Sequence, residues 1–267
     1  LKLTEENYYS REANQHYMSV SQFKDFDKCE AAALAKLNGE YSEPKADCFL
    51  IGSYVGATIE GDYALQKFIE DHPEIFSSRG VNKGELKAEY KLGDKMVETL
   101  LDDPVCRQML EGDKEVIVTA ELFGVLWKVK LDVYNPDEGR IIDLKTVKGI
   151  HERYWKNGKW VSFVENFGYV LQMAVYTELE RIEHGRFTTL EPLIVAVSKE
   201  ETPDKAVICF DEESLNYELL MVNDKLPRII AVKEGIEEPK RCERCRYCRS
   251  TKKIDGLIHY LELTMGS

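Results

Sequence analysis

Residues 130–146, KLDVYNPDEGRIIDLKT, decide the fold of this chain. Upstream and into this stretch, Val125, Trp127, Val129, Leu131 and Val133 alternate with Leu126, Lys128, Lys130, Asp132 and Tyr134. That is the period-two pattern of a half-buried strand. Asn135-Pro136-Asp137-Glu138-Gly139 is turn chemistry, and Arg140 to Thr146 resumes a strand. In such a hairpin Tyr134 faces Arg140 to within one residue of register, so Asp132 lies beside Asp143 on the neighbouring strand. Lys145, two residues on, projects from the same face.

Charged residues are poor strand formers and are seldom buried unpaired. Two adjacent carboxylates repel each other unless something positive lies between them, and one lysine is a weak remedy. A divalent cation is a better one. Oxygen ligands of this kind suit Mg²⁺ or Mn²⁺, which bind one or two carboxylates together with waters and a phosphate. The alternative is a solvent-facing hairpin with a cross-strand Asp–Lys pair, and D-x10-D-x-K alone does not choose between them.

The composition sets limits. The 267 residues are enough for one large domain or two small ones, and 43% hydrophobic with 31% charged residues describe a soluble globular protein. No long apolar run and no signal-peptide pattern is present, so no membrane partner and a cytoplasmic location are expected. Seven cysteines point to thiols or metal ligands rather than a disulfide framework. The net charge of −12, from 36 basic and 48 acidic residues, has the wrong sign for a general nucleic-acid binder. A DNA-binding reading therefore needs a local basic groove and metal ions; Lys128, Lys130, Lys148, Arg153, Lys156 and Lys159 flank the acids and would supply it.

The pattern predicts helices over Gln22–Leu37, behind Ser19-Val20-Ser21 as an N-cap region, and over Gly52–Glu70. Lys83–Leu110 is mixed and ends in helix. Strands follow at Glu115–Leu122, Val125–Tyr134 and Arg140–Thr146, then a long helix at Ser162–Glu183. A hairpin of Leu193–Val197 and Ala206–Phe210 precedes a helix from Asp211 that Pro227 should kink. This order gives an α/β fold with a mixed sheet flanked by helices. On the long helix Gln172 and Tyr176 sit at i and i+4, beside Gly168 and on one face.

Asp132, Asp143-Leu144-Lys145 and Gln172-Met-Ala-Val-Tyr176 together resemble the PD-(D/E)xK nuclease superfamily, and within it the RecB and RecE branch, where D…DxK is followed by QxxxY. Ser19-Val-Ser-Gln-Phe-Lys-Asp-Phe-Asp-Lys-Cys29 is similar to the opening helix of that branch. The likeness is greatest to phage and prophage exodeoxyribonuclease VIII-like proteins and spans about residues 17–255. It implies a restriction-endonuclease-like core. It also implies that Asp132, Asp143 and the Leu144 carbonyl hold a catalytic Mg²⁺ or Mn²⁺, and that Lys145 orients the attacking water. Gln172 and Tyr176 would position DNA or nearby waters. Glu121 is a candidate supporting carboxylate, with a purely structural role as its alternative. In one respect the chain departs from the branch, whose members often carry a metal-binding His in a stretch like Gly-Ser-Tyr-Val-His; here it is Gly52-Ser-Tyr-Val-Gly56, with Glu60 as a candidate substitute.

Arg241-Cys242-Glu-Arg-Cys245-Arg-Tyr-Cys248 is a second metal signal, because C-x2-C-x2-C can converge three thiolates on one centre. Cys29 is the candidate fourth ligand, while Cys48, Cys106 and Cys209 read as isolated buried thiols. The resemblance supports Cys29, since some RecB-type nucleases pin a [4Fe–4S] cluster with one N-terminal and three C-terminal cysteines; zinc on the same thiolates is the competing reading.

The whole implies a single nuclease domain over 1–267, with the N-terminal helix and the segment at about 241–250 closing on the core. The implied activity is a metal-dependent exonuclease working 5′→3′ on linear double-stranded DNA in phage-type recombination, as a homo-oligomer beside a single-strand annealing protein. The alternatives are a catalytically impaired DNA-binding or assembly module, and an endonuclease or CRISPR-adaptation-type nuclease of the same fold.

Overall fold

The computed structural model describes residues 1–43, 47–254, 256–257 and 259–261. In chain order its helices are α1 (Arg11–His16), α2 (Val20–Lys28), α3 (Glu30–Leu37), α4 (Asp47–Glu60), α5 (Asp62–Asp71), α6 (Ala88–Leu101) and α7 (Pro104–Met109). Strands β1 (Asp113–Leu122), β2 (Val125–Asn135), β3 (Arg140–Val147), β4 (Tyr154–Lys156) and β5 (Lys159–Val161) follow. Then come α8 (Phe163–Asn166), α9 (Tyr169–Glu183), β6 (Glu191–Ser198), β7 (Lys205–Cys209), α10 (Glu212–Lys233) and α11 (Arg246–Ser250). Among the described residues, no helix is long and apolar enough to cross a membrane.

The chain divides into two compact units: Leu1–Val20 with Glu43–Asp224, and Ser21–Ser42 with Lys225–Ser267. The first is built on a five-stranded mixed sheet in the order β1-β2-β3-β6-β7. β3 and β6 run parallel, and the other neighbours are antiparallel. A parallel pair needs a crossover, and α9 supplies it between β3 and β6. Strand parity then sorts the faces. Val133 and Ile142 join Val55, Met96, Leu100, Val195 and Val197 in a core beneath α4 and α6. Asp132 and Asp143, one residue away along each strand, point to the opposite face, where α9 packs across β1, β2 and β6.

The sheet matches the pattern reading to within two residues at each strand end, whereas the helices are more broken than expected. Each break has a local cause. Gln22–Leu37 is two helices because Cys29 is extended (φ −165°, ψ 104°) and serves as the N-cap residue of α3. Gly52–Glu70 is interrupted at Gly61, with φ 133°. Ser162–Glu183 is interrupted at Gly168, whose left-handed φ of 64° would cost another residue roughly 1–2 kcal/mol. The Ser162–Glu165 capping box starts α8. Pro227 lies inside α10 without ending it. The hairpin β4–β5 lies where the pattern predicts only flanking basic residues and no strand.

The second unit is small and polar-clamped. Arg228 donates to both Glu30 carboxylate oxygens (3.0 and 2.7 Å), and the Lys240 N–H donates to Glu30 as well (2.7 Å). The Ala31 N–H donates to the Lys240 carbonyl (3.1 Å). Cys29, Ala31 and Cys248 are buried together, with Tyr247 packed against them.

Candidate active site and four-cysteine centre

β2 and β3 pair as Asn135↔Arg140, Tyr134↔Ile141 and Val133↔Ile142, one residue from the expected register, and the described ladder ends there. Extending it by one step sets Asp132 opposite Asp143. The Asp132 carboxylate accepts the Leu144 N–H at 2.8 Å. A side chain thus satisfies a backbone donor that a continuing ladder would have used. Where the strands part, a cleft of about 1010 Å³ opens, lined by Asp132, Leu144, Lys145 and Gln172 from the sheet and α9, and by Gly52, Gly56 and Glu60 from α4.

Asp143 is only 2% exposed. Its Oδ1 accepts from Gln172 Nε2 at 2.6 Å, and its Oδ2 lies 2.5 Å from Lys145 Nζ. Burial first, then Asp143, pushes Asp132 up to about 7. Burial works against the Lys145 ammonium, yet Asp143 and Asp132 beside it raise its pKa. Two buried acids, one of them holding its proton up to about 7, share a single ammonium, so the donor set is short of positive charge. A divalent cation fits it, with Asp132, Asp143 and the Leu144 carbonyl as candidate ligands. Tyr176 lies one turn beyond Gln172; burial raises its pKa first, and the charge of Asp143 adds to the effect.

The solvent-facing alternative for this hairpin fails on burial, and some expected residues lie elsewhere. Glu121 is exposed near the far end of the β1–β2 hairpin, paired with Leu126. Lys128 does not line the cleft: it is 1% exposed and donates to the Tyr8 carbonyl and to Asn14 Oδ1 (2.8 Å). Burial lowers its pKa to about 8. Lys130 and Lys148 do line the cleft, joined by Lys114 and Lys199. A locally basic groove therefore exists within an acidic chain.

The four sulfurs of Cys29, Cys242, Cys245 and Cys248 all lie within 4.8 Å of one another. Cys29 Sγ is 3.6 Å from Cys248 and 3.8 Å from Cys245, although Cys29 and Cys248 are 219 positions apart. The Cys245 and Cys248 N–H groups donate to Cys242 Sγ (3.2 Å) and Cys245 Sγ (3.4 Å). Burial opposes ionisation of Cys242, but the Arg244 and Cys245 N–H groups outweigh it and bring the thiol down to about 6. At Cys242 these backbone donors favour thiolate, the form that binds metal, whereas burial holds the Cys245 and Cys248 thiols up. Cys106 is buried as expected and Cys209 is exposed, contrary to expectation, since it is the last residue of edge strand β7. The side chain of Cys48 lies outside the described residues.

Residues 19–251 match the model of a family described as a PDDEXK-like domain of unknown function. The chain belongs to this family. It is a PD-(D/E)xK-superfamily protein, with the fold the acid–lysine geometry had indicated. No curated protein matches it. Among solved structures it is similar to one from Eubacterium rectale described as "Putative exonuclease", at 39% identity and a TM-score of 0.91, covering 100% of both chains. It is also matched with SSO0001 at 12% identity and a TM-score of 0.24, over 85% of this chain and 91% of that one, too distant to inform the chemistry.

Within the PDDEXK-like domain, sequence reading missed Glu115. The β1–β2 register sets it opposite Asp132, yet the pairing lapses there and its φ is +54°. A left-handed non-glycine residue in a strand is strained, and such strain gathers at functional sites. Glu115 lines the cleft and pairs with Lys130, whose ammonium also lies 5.3 Å from the centre of the Tyr9 ring. Extending the hairpin register back to β1 would have found Glu115. Nothing in the sequence pattern marks Tyr9.

Proposed function

We propose that this PDDEXK-like protein is a divalent-metal-dependent DNA nuclease whose reaction is phosphodiester hydrolysis. What carries the reading is the convergence of Asp132, Asp143 and Lys145 at the parting of two strands, inside a lysine-lined cleft. Mg²⁺ or Mn²⁺ held there would polarise the scissile phosphate and lower the pKa of bound water. The chain's own groups do the rest. Gln172 fixes the Asp143 carboxylate through Oδ1, and the Leu144 N–H fixes Asp132, so neither acid rotates away. Lys145, kept charged by both acids, holds the attacking water and offsets charge growing on phosphorus. Tyr176 supports the Gln172 face of α9, and Lys114, Lys130, Lys148 and Lys199 receive the DNA backbone.

The finer reading is an exonuclease of the exodeoxyribonuclease VIII type. It would degrade linear duplex 5′→3′ as a homo-oligomer and hand the remaining strand to an annealing protein in recombination. The name of the similar Eubacterium rectale protein supports the exonuclease choice. End-labelled linear and covalently closed circular duplex, each incubated with Mg²⁺ or Mn²⁺, test it. The expected result is release of 5′ label from linear DNA with circular DNA intact. Cutting of circles would make it an endonuclease. No cutting of either would favour the second reading, a DNA-binding module weakened by glycine at position 56.

For the cysteine centre we propose a structural metal ion held by Cys29, Cys242, Cys245 and Cys248. A zinc–sulfur bond of about 2.3 Å in a tetrahedron sets sulfurs roughly 3.8 Å apart. Three sulfur pairs are 3.6–3.9 Å apart and all four sulfurs lie within 4.8 Å of one another, a spacing near that of one zinc ion. A cube places four irons between its ligands and needs them farther apart. Protein purified without oxygen should be colourless and carry about one zinc per chain. Brown protein with broad absorption near ~400 nm would instead establish the cluster.

A further inference from the structure

β4 and β5 form a hairpin of three residues a side, too short to be stable alone in water. The molecule nevertheless holds it firmly. Asn157 and Gly158 turn through positive φ (51° and 79°), which matches the twist of a two-residue hairpin. Lys156 Nζ donates to the Glu165 carbonyl at 2.9 Å and the Asn166 carbonyl at 3.3 Å, and Lys159 pairs with the Glu165 carboxylate. Val161 is buried, and Tyr154 meets Phe167 edge to face at 5.2 Å.

The two faces of this rigid hairpin differ. Tyr154 points to the inward face and lines the active cleft. Trp155 and Trp160, direct cross-strand partners, point the other way at 61% and 62% exposure, with ring centres 5.3 Å apart. Indoles left this open on an anchored scaffold are suited to a flat apolar partner, and unpaired bases present one. Exposed Arg153, directly before the hairpin, adds positive charge that suits a polyanion, while Lys156 and Lys159 are taken up by Glu165 and its neighbour.

Resting on the nuclease reading above, we infer that the β4–β5 hairpin is a strand-parting element at the mouth of the cleft. One strand of a duplex end passes Tyr154 toward Lys145, and bases of the other stack on Trp155 and Trp160. The occupant is thus the unpaired end of the substrate's second strand. This explains why aromatic side chains sit on both faces of an element with no core of its own.

The test uses the full chain with Trp155→Ala/Trp160→Ala and Trp155→Phe/Trp160→Phe. Digestion of blunt linear duplex is compared with digestion of the same duplex carrying a splayed, unpaired end. Loss of base stacking should slow the alanine variant about tenfold or more on blunt ends. It should leave splayed ends near wild-type rate, and the phenylalanine pair should recover most activity. Equal loss on both substrates, or none on either, overturns the inference. So does a fall in oligomeric state of the alanine variant, which would make the tryptophans a contact between copies. Emission quenching by oligothymidylate in EDTA gives a reading independent of cleavage, because Trp127, the remaining tryptophan, is fully buried. If wild type cuts nothing, the nuclease reading fails. Quenching that the alanine pair abolishes would still place a DNA strand on the hairpin, and absent quenching would remove it.

Discussion

The acid–lysine cleft and the four-cysteine centre solve the same problem, convergence of negative ligands, in opposite ways. In the cleft, two hard carboxylates are set by strand register, each oriented by one hydrogen bond, with the remaining space open to solvent and substrate. In the cysteine centre, soft sulfurs approach from a broken helix at one end of the chain and a short loop at the other, filling their own coordination sphere. An open oxygen site suits an exchangeable ion that works on substrate. A closed thiolate site suits an ion that holds structure. The two centres should therefore fail differently.

The sharpest failure belongs to the cleft. Asp143→Ala, Asp132→Ala and Lys145→Ala should each lower cleavage roughly a thousandfold or more, the several kcal/mol a positioned metal and its partners supply. Circular dichroism should remain that of the wild type, because the sheet at this point is held by the apolar core around Val133, Ile142 and Val195. Isothermal titration should find Mn²⁺ binding lost in both aspartate variants and kept in Lys145→Ala. Near-normal turnover by any of the three would break the assignment of this cleft.

The cysteine centre should show the reverse. Cys29→Ser and Cys245→Ser should lose the bound metal to the same extent and cost several kcal/mol in denaturant unfolding, because metal binding at a closed site is folding free energy. EDTA at concentrations that stop cleavage should leave this metal in place. If Cys29→Ser retains a full complement by elemental analysis, the fourth ligand is wrong and the contrast between the centres collapses.

How legible the two regions were follows from the same difference. The hairpin and its acids could be read because period-two alternation and a Pro-Asp-Glu-Gly turn leave one residue of doubt in register, and Asp132 stays beside Asp143 either way. C-x2-C-x2-C is local and equally plain. Tyr9 and the burial of Lys128 were hidden because each depends on how a distant segment packs, whereas Glu115 needed only the hairpin register carried back to β1. Lys128 follows the strand alternation as an outward residue, yet the carbonyl of Tyr8 covers it. The break at Cys29 was missed for a related reason: the apolar face of Phe23 and Phe26 before it and the Ala-rich run after it argue for one continuous helix, and the extended cysteine is favoured by what its sulfur meets.

A pH series separates the centres further. Free aspartate gives up its proton near 3.8, whereas folded, metal-free Asp132 keeps one until about 7. Between those values the unfolded state binds fewer protons, so stability in EDTA should fall as pH rises from about 4 to about 7, by on the order of a few kcal/mol. Mn²⁺ displaces that proton, so its affinity should climb with pH through the same window and flatten above it. Melting temperatures in EDTA and in Mn²⁺ at pH 5 and pH 8 check both. A metal-free protein equally stable at the two values would mean that burial and Asp143 together do not hold the proton on Asp132.

The smallest expected effect concerns Gly56, at the position where the RecB-type sequences this chain resembles often carry a histidine. Gly56 is on α4 and lines the cleft, and a Cβ built there meets nothing within 4 Å. Gly56→His should therefore fold, with a gain of a few tenths of a kcal/mol because glycine is a poor helix interior residue. An imidazole is a good ligand for Mn²⁺ beside carboxylates, and Mn²⁺ affinity should tighten on the order of tenfold, with cleavage unchanged or raised. Glu60 also lines the cleft, and burial first and Glu115 second raise its pKa. It therefore sets the second arm of the experiment. If Glu60 substitutes for the missing histidine, Glu60→Gln should weaken Mn²⁺ binding in the natural protein and matter little in Gly56→His. If Gly56→His weakens binding instead, position 56 does not face the acids, and the open side of the cleft belongs to DNA alone.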